Sequence, residues 1–264
     1  MIEELRGVLG ASPVPQGSWE RDACFVSTAA LRGTAARGTA ESPAEVAERL
    51  AARLRAVPGV RRVDVRPNGF LVIGVATPGR IVEEILASTV AASPRSASPR
   101  SASPRSASPR SASPRSASPR SASPRSGAAA APWPDFPRTW DNPGFAVRYA
   151  YVRAGAVRRW AGDLGVRTGV AARPELLDGP FDRAVLRVLA ELPSRRESRD
   201  PGWAAYLERL AEVFHTAVER ASPIPMGDEP PSEVHAARVR MGEAVRLVLG
   251  EGLVELGVAP PGKI

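Results

Sequence analysis

The sequence predicts a small α+β unit followed by an all-helical bundle, the two joined by a disordered linker. Three observations carry this reading. Residues 60–75 run strand, turn, strand. After residue 140, apolar residues recur at helical spacing in four separate stretches. Between these halves, residues 93–126 repeat Ser-Pro-Arg-Ser-Ala with no apolar side chain larger than alanine. Such a composition buries too little surface to offset the entropy of ordering the chain. The expected boundaries are 1–90 for the α+β unit, 91–139 for the linker and 140–264 for the bundle.

In the first half, Ser42-Pro43-Ala44-Glu45 has the form of a capping box with proline at the first helical position. Val46, Leu50, Leu54 and Val57 follow at helical spacing. Val60 to Val65 has part of a strand's alternation, Pro67-Asn68-Gly69 is a turn, and Phe70 to Val75 is a second strand, so the pair reads as a hairpin. Ile81, Ile85 and Leu86 belong to a closing helix. The repeat then begins, and its proline every five residues blocks helix. Pro-Trp-Pro-Asp-Phe-Pro at 132–137 marks the boundary with the second half. There the first helix runs from Phe145 to Leu164 and is broken by Gly165. The second runs from Phe181 to Leu192, with Val185, Leu186, Val188 and Leu189 inward. The third runs from Trp203 to Val218 on the stripe Trp203, Leu207, Leu210, Phe214, Val218. Ser222–Pro231 is a proline-rich loop, and Glu233–Leu256 is the last helix. Four helices with one stripe each suggest a bundle. A linker of roughly 40 residues has a root-mean-square span on the order of 35 Å, so the halves are expected to be loosely tethered.

The 264 residues carry 36 Lys+Arg against 28 Asp+Glu, for a formal net charge of +8. The only lysine is Lys263. Seven arginines sit in the repeat, so without it the charge falls to +1, and residues 132–264 balance 18 bases with 18 acids. The basic character therefore describes the repeat rather than a folded surface. No apolar run approaches the roughly 20 residues of a membrane span. Acids at Glu3 and Glu4, where an export signal carries bases, point to a cytoplasmic protein.

One cysteine, Cys24, excludes a disulfide framework and a multi-cysteine zinc site; beside Phe25 and Val26 it reads as a buried inert thiol. His215 sits in a helical stripe and reads as structural, and His235 has no partner in the sequence pattern. No GxGxxG, Walker A, GxSxG, HExxH or CxxC occurs. The expectation is no catalytic constellation, no metal and no cofactor. The positive signal is arginine mixed with aromatics: helix 145–164 carries Arg148, Tyr149, Tyr151, Arg153, Arg158, Arg159 and Trp160. Arginine grips phosphate with two donors, and tyrosine or tryptophan stacks on unpaired bases. One face of that helix suits a single-stranded RNA loop. The alternative is that Tyr149 and Val152 face the core and the arginines are merely solvated.

Asp141-Asn142-Pro143-Gly144-Phe145-Ala146-Val147-Arg148-Tyr149-Ala150-Tyr151-Val152-Arg153 resembles the start of the DALR-type anticodon-binding domain of arginyl-tRNA synthetases, which reads much like DNPxxYVQYAHAR. Pro201 to His215 is similar to that family's YLxxLAxxFH helix, and Ala237 to Pro260 to its closing helix and tail. The resemblance covers about 120 residues. The Pro43–Leu54 helix, Val60–Val65 and Gly69-Phe70-Leu71 resemble the family's additional N-terminal domain (xPxxVAxxL, PGVxxVEV, GFI) over about 70 residues, and Phe25–Leu31 is faintly similar to its DYxxNAAL stretch.

The resemblance implies a DALR fold for 140–264 and tRNA, arginine tRNA in the first place, as partner. It implies RNA contacts from Tyr149, Arg148, Arg153, Arg158 and Arg159 in the helical half. Asn68 and Phe70 would contribute from the N-terminal half, and Ile264 stands where the family usually has methionine near the anticodon. The sequence also departs from the pattern. SPRSA repeats stand where the synthetases carry their catalytic domain, and neither a HIGH nor a KMSKS motif is present, so the expected protein is non-catalytic. Val72 replaces a polar side chain that helps read a D-loop base. Thr216-Ala217-Val218 follows Phe214-His215 where the family continues FHxFY, and Tyr151 replaces a histidine. Three functions follow: a non-catalytic tRNA-binding paralogue, an accessory of arginyl-tRNA aminoacylation working with a full-length synthetase, or a protein-interaction scaffold that has lost RNA binding.

Overall fold

The computed structural model describes residues 1–37, 42–92, 133–168 and 173–264. The expected disordered repeat lies outside the described residues. The first half contains α1 (Ile2–Leu9), β1 (Val14–Gln16), β2 (Ala23–Ser27), α2 (Ala29–Arg37), α3 (Pro43–Arg55), β3 (Val60–Val65), β4 (Leu71–Val75) and α4 (Arg80–Ala92). The strands form one antiparallel sheet in the order β1-β2-β4-β3. The hairpin of β3 and β4 is as expected, with Gly69 at φ +79° in its turn. The capping box is also present: Ser42 Oγ accepts from the Glu45 N–H at 3.3 Å, and Glu45 Oε2 accepts from the Ser42 N–H at 2.8 Å.

The α3 stripe differs from expectation. Ala47, Ala51 and Leu54 are fully buried, while Val46, Leu50 and Val57 flank them half-buried. Alanine fills the floor because β3 lies close against this helix. Sequence reading missed α1, β1, β2 and α2. Cys24 is not the buried thiol expected. Alternation along β2 turns Ala23, Phe25 and Ser27 inward and leaves Cys24 half-buried on the other face. There its thiol donates to Asp22 Oδ2 at 3.3 Å and lies 3.6 Å from Arg62 Nη2; burial, opposed by the Arg62 contact and helped by Asp22, raises its pKa.

The second half contains α5 (Pro143–Asp163), a 3-10 turn (Pro174–Leu176), α6 (Pro180–Leu189), α7 (Leu192–Glu197), α8 (Trp203–Arg220) and α9 (Glu233–Glu255). The expected second helix, Phe181 to Leu192, already ends at Leu189, where the chain turns at Ala190-Glu191, and α7 beyond it is a helix that sequence reading missed. α5 packs on α8 and α9, and α8 on α6. The α8 face is broader than its predicted stripe: Tyr206, Ala211 and His215 are buried with Leu207, Leu210 and Phe214. His235, partnerless in sequence, closes the α9 capping box, its Nδ1 lying 3.2 Å from the Ser232 N–H and 2.9 Å from Ser232 Oγ.

The halves are not loosely tethered. They share one continuous core, with α4 lying on α9 and its Ile81, Val82 and Ile85 buried. Glu83 holds Arg240 of α9 through two bonds of 2.8 and 2.6 Å. Ser12 donates to Glu197 from its backbone and its hydroxyl, at 3.0 and 2.8 Å, and Arg6 joins the same carboxylate at 2.7 Å. Arg183 and Arg187 of α6 donate to the carbonyls of Trp19 and Gly17. Trp19 is buried with φ +63°, a conformation costly for a side chain of this size; packing on Phe25 and a bond from its Nε1 to the Cys24 carbonyl hold it there. Linker length sets only the chain entropy of the tether, and these contacts outweigh it.

Backbone approach is closest where Gly79 meets the 3-10 turn: a Cβ at Gly79 would stand 2.1 Å from the Pro174 carbonyl oxygen. Gly79→Ala is therefore expected to destabilise the protein by roughly 3 kcal/mol. Denaturant unfolding followed by tryptophan fluorescence checks this. A midpoint equal to that of the parent protein would mean that the contact of the halves contributes nothing.

Candidate nucleic-acid interface

The start of α5 organises the region where the sequence placed most RNA contacts. Asn142 caps the helix, its Oδ1 accepting from the Gly144 N–H at 3.0 Å. Its Nδ2 donates to the carbonyls of Pro134 and Pro137, at 3.2 and 2.8 Å. Arg148 completes the fastening: Nη1 donates to the Gly144 and Pro134 carbonyls at 2.9 and 3.2 Å, and Nη2 to the Trp133 carbonyl at 2.7 Å. The proline-rich stretch assigned to the linker is thereby bound to the helical half from Trp133 onward.

This fastening carries Trp140 against the helices. The Trp140 ring lies edge-on to Phe145, Tyr149 and His215, at 6.0, 5.4 and 5.1 Å between centroids. Tyr149 stacks on Phe145 at 5.8 Å and on His215 at 5.4 Å. Four rings from the proline-rich segment, α5 and α8 thus form one ladder, and Trp140 at its edge is 61% exposed. Sequence reading missed Trp140 and the part played by His215. The available signal was a tryptophan two residues before a helix cap, close to where an apolar residue packs back on the first turn.

The predicted site residues fall into different environments. Tyr149 is half-buried within the ladder. Arg148 is 9% exposed, and its guanidinium donates to the backbone carbonyls of Trp133, Pro134 and Gly144. Arg153 is turned inward, its Nη1 at 3.2 Å from His215 Nδ1 and 3.4 Å from Glu219. Arg158 and Arg159 are exposed near the far end of α5, beside the exposed Trp160. Arg158 pairs with Glu243 at 3.0 Å, and Arg159 bonds only the Gly155 carbonyl of its own helix among the described residues. Ile264 lines a cleft with Arg138, Arg148, Lys263 and Asp135. Asn68 and Phe70 lie in the hairpin turn of the other half, where Asn68 Oδ1 accepts from the Phe70 N–H at 3.2 Å. No hydrogen bond or ring contact among the described residues joins them to Tyr149 or the α5 arginines.

His215 Nε2 lies 3.2 Å from the Ala146 carbonyl, so Nε2 carries the proton and Nδ1 accepts from Arg153. Burial lowers its pKa from the ordinary 6.5; the Ala146 bond opposes this, Arg153 adds to it, and Glu219 opposes it. The groove bounded by Trp140, Pro143, Ala146 and His215 has an acidic wall of Glu208, Glu212 and Glu219.

Two further charged clusters come from the fold rather than from any motif. Glu191 accepts from Arg187, Arg195 and Arg209 at 2.6, 2.6 and 2.7 Å. Burial raises its pKa, but Arg195, Arg187 and Arg209 outweigh this and hold it below the usual carboxylate range. Asp182, 1% exposed, pairs with Arg238 at 3.0 Å and joins α6 to α9; burial raises its pKa against the pull of Arg238. Among the described residues, no group of three His, Cys, Asp or Glu side chains is placed to hold a metal ion, and no helix is long and apolar enough to cross a membrane.

Two outcomes are expected from this geometry. Arg148→Ala removes three bonds from a buried guanidinium and should cost about 3 kcal/mol in denaturant unfolding, while loosening the segment that carries Trp140. For His215, the folded pKa lies below the unfolded one, so the unfolded chain takes up the proton first. Its contribution to stability is complete above about pH 6.5 and is lost as the pH falls below it. In paired thermal melts, the stability difference between the parent and His215→Gln should shrink over that interval; a pH-independent difference would refute the assignment.

No family model matches the chain, and no solved structure matches it. The chain is similar to the arginine–tRNA ligase of Clavibacter sepedonicus, 40% identical over 129 residues, which is 47% of this chain and 23% of that protein. It is also similar to the arginine–tRNA ligase of Kineococcus radiotolerans, 37% identical over 132 residues, which is 48% of this chain and 24% of that one. The chain thus spans about a quarter of the length of the curated relatives it matches, and about half of it is related to arginyl-tRNA synthetases.

Proposed function

We propose that this chain is a non-catalytic, arginyl-tRNA synthetase-like protein that binds tRNA through a DALR-type anticodon-binding domain in its helical half. The similarity to arginine–tRNA ligases carries the reading. The exposed ring of Trp140, held edge-on to Tyr149 and His215, supports it, because an exposed aromatic face accepts unpaired bases of any sequence. Arginine tRNA is the expected ligand. Phosphate contacts fall to Arg158 and Arg159, whose surface bonds exchange easily. Trp140 supplies stacking, and Tyr149 backs its ring from within the ladder. The lack of HIGH and KMSKS motifs in this sequence supports a binding role, and an accessory part in arginyl-tRNA aminoacylation beside a full-length synthetase is compatible with it.

A second reading, a protein-interaction scaffold, is favoured by one observation: the wall beside Trp140 carries Glu208, Glu212 and Glu219, which repel phosphate.

Fluorescence anisotropy of the full chain with arginine tRNA, across a salt series, separates the two. Trp140→Ala should weaken binding about tenfold, the effect of one lost base stack, and Tyr149→Ala, which removes the backing of that ring, should weaken it less. Arg158→Ala and Arg159→Ala should each reduce the slope of log affinity against log salt by about 1. Affinity that ignores all four changes sinks the tRNA reading, and arginine- and ATP-dependent charging of tRNA by the purified chain sinks the non-catalytic one.

A further inference from the structure

The groove beside Trp140 is lined by three glutamates and by no lysine or arginine. Its floor is Pro143, Ala146 and His215, one lip is the exposed indole of Trp140, and the other wall is the outer face of α8. Glu208 and Glu212 stand there one helical turn apart, both exposed, with no ion-pair partner among the described residues. Two like charges at that spacing destabilise a helix unless a cation lies between them. Glu219 completes the row and, among the described residues, pairs with Arg153 at 3.4 Å. Carboxylates facing an indole make the environment that a guanidinium prefers, with charge on one side and a π face on the other. The chain already places arginines over aromatic rings at Phe136, Tyr206 and Tyr151, 4.6 to 5.0 Å from the centroids.

We infer that this groove docks an extended arginine- and proline-bearing peptide, and that its occupant is the Ser-Pro-Arg-Ser-Ala repeat of this protein. Charge complementarity is the first argument. The repeat contributes seven arginines and no acid, against three glutamates on the wall. Spacing is the second. Glu208 and Glu219 are eleven residues apart, about 16 Å along a helix. In a peptide of polyproline conformation, arginines five residues apart are separated by about 16 Å. Position in the chain is the third: Arg125 precedes Trp133 by eight residues, and the stretch from Trp133 leads directly to Trp140. The inference does not depend on tRNA binding.

The test uses full-length protein with all seven repeat arginines changed to glutamine, labelled with nitrogen-15 and titrated with a synthetic peptide of three Ser-Ala-Ser-Pro-Arg units. The expected result is a salt-sensitive shift of the Trp140 indole N–H and of the amides of Glu208, Glu212 and Thr216, toward their positions in the parent protein. Changing Glu208, Glu212 and Glu219 together to glutamine, all exposed and remote from the core, should weaken the peptide about tenfold. Peptide affinity unchanged by the glutamine substitutions, shifts confined to other surfaces, or no binding would each overturn the inference. So would tRNA moving these same groove resonances while the peptide does not. Loss of tRNA affinity in Trp140→Ala with peptide binding absent would leave the tRNA reading standing and this one refuted.

Discussion

A guanidinium buried to nine-tenths of its surface is costly unless its donors are used, and Arg148 uses them on the carbonyls of Trp133, Pro134 and Gly144. Those bonds turn a proline-rich stretch into part of the helical half. Asn142 bonds two carbonyls of the same stretch while capping α5, so helix start and segment are set by one network. The position of Trp140 follows, and with it the ring ladder and the lip of the acidic groove. Gly144 belongs to the same constraint, because a Cβ there would stand 2.3 Å from the Pro134 carbonyl oxygen. What reads in sequence as a basic residue for phosphate is, in the fold, the clamp that presents the aromatics.

The halves obey a comparable constraint at their junction. Gly79 permits the backbone of the first half to touch that of the second, and Glu83–Arg240, Ser12–Glu197 and the two α6 arginines close around it. Because α9 meets both α4 and α5, it joins the sheet-bearing half to the helix that carries Tyr149. Asn68 and Phe70 therefore have a fixed place relative to that helix without touching it. A tRNA contacting both would do so at two separated points.

Much of this was legible in the chain because the signals were local. The Ser42 capping box, the Gly69 turn and the α8 stripe each depend on residues within a few positions of one another. β1 was hidden because it is three residues long and contains Pro15, β2 because Ala23, Phe25 and Ser27 inward and Cys24 and Val26 outward give no polar–apolar alternation, and α2 because its Ala, Gly and Thr give no stripe. The narrow alanine face of α3 depends on what packs opposite. The site was legible in type but not in role. An arginine on a helix reads alike whether it faces solvent, a carboxylate or a carbonyl, and only the fold assigned Arg148, Arg153 and Arg158 to different partners. Trp140 stood outside the predicted helix, where periodicity has no bearing.

The charge pattern then constrains how any polyanion can approach. Around the ladder, Arg148 is buried and Arg153 is satisfied by His215 and Glu219, whereas Glu208 and Glu212 are free to repel phosphate. Exposed α5 cations collect at the other end, at Arg158 and Arg159, nine or more residues from Tyr149 and about 14 Å along the helix. An RNA loop that stacks on the ladder must keep its backbone on the Arg158–Arg159 side and away from α8. A cationic peptide in the α8 groove occupies the ground an RNA backbone avoids. The two surfaces share Trp140 and His215, so their occupants compete there through rings rather than through charge, and salt weakens both without exchanging one for the other.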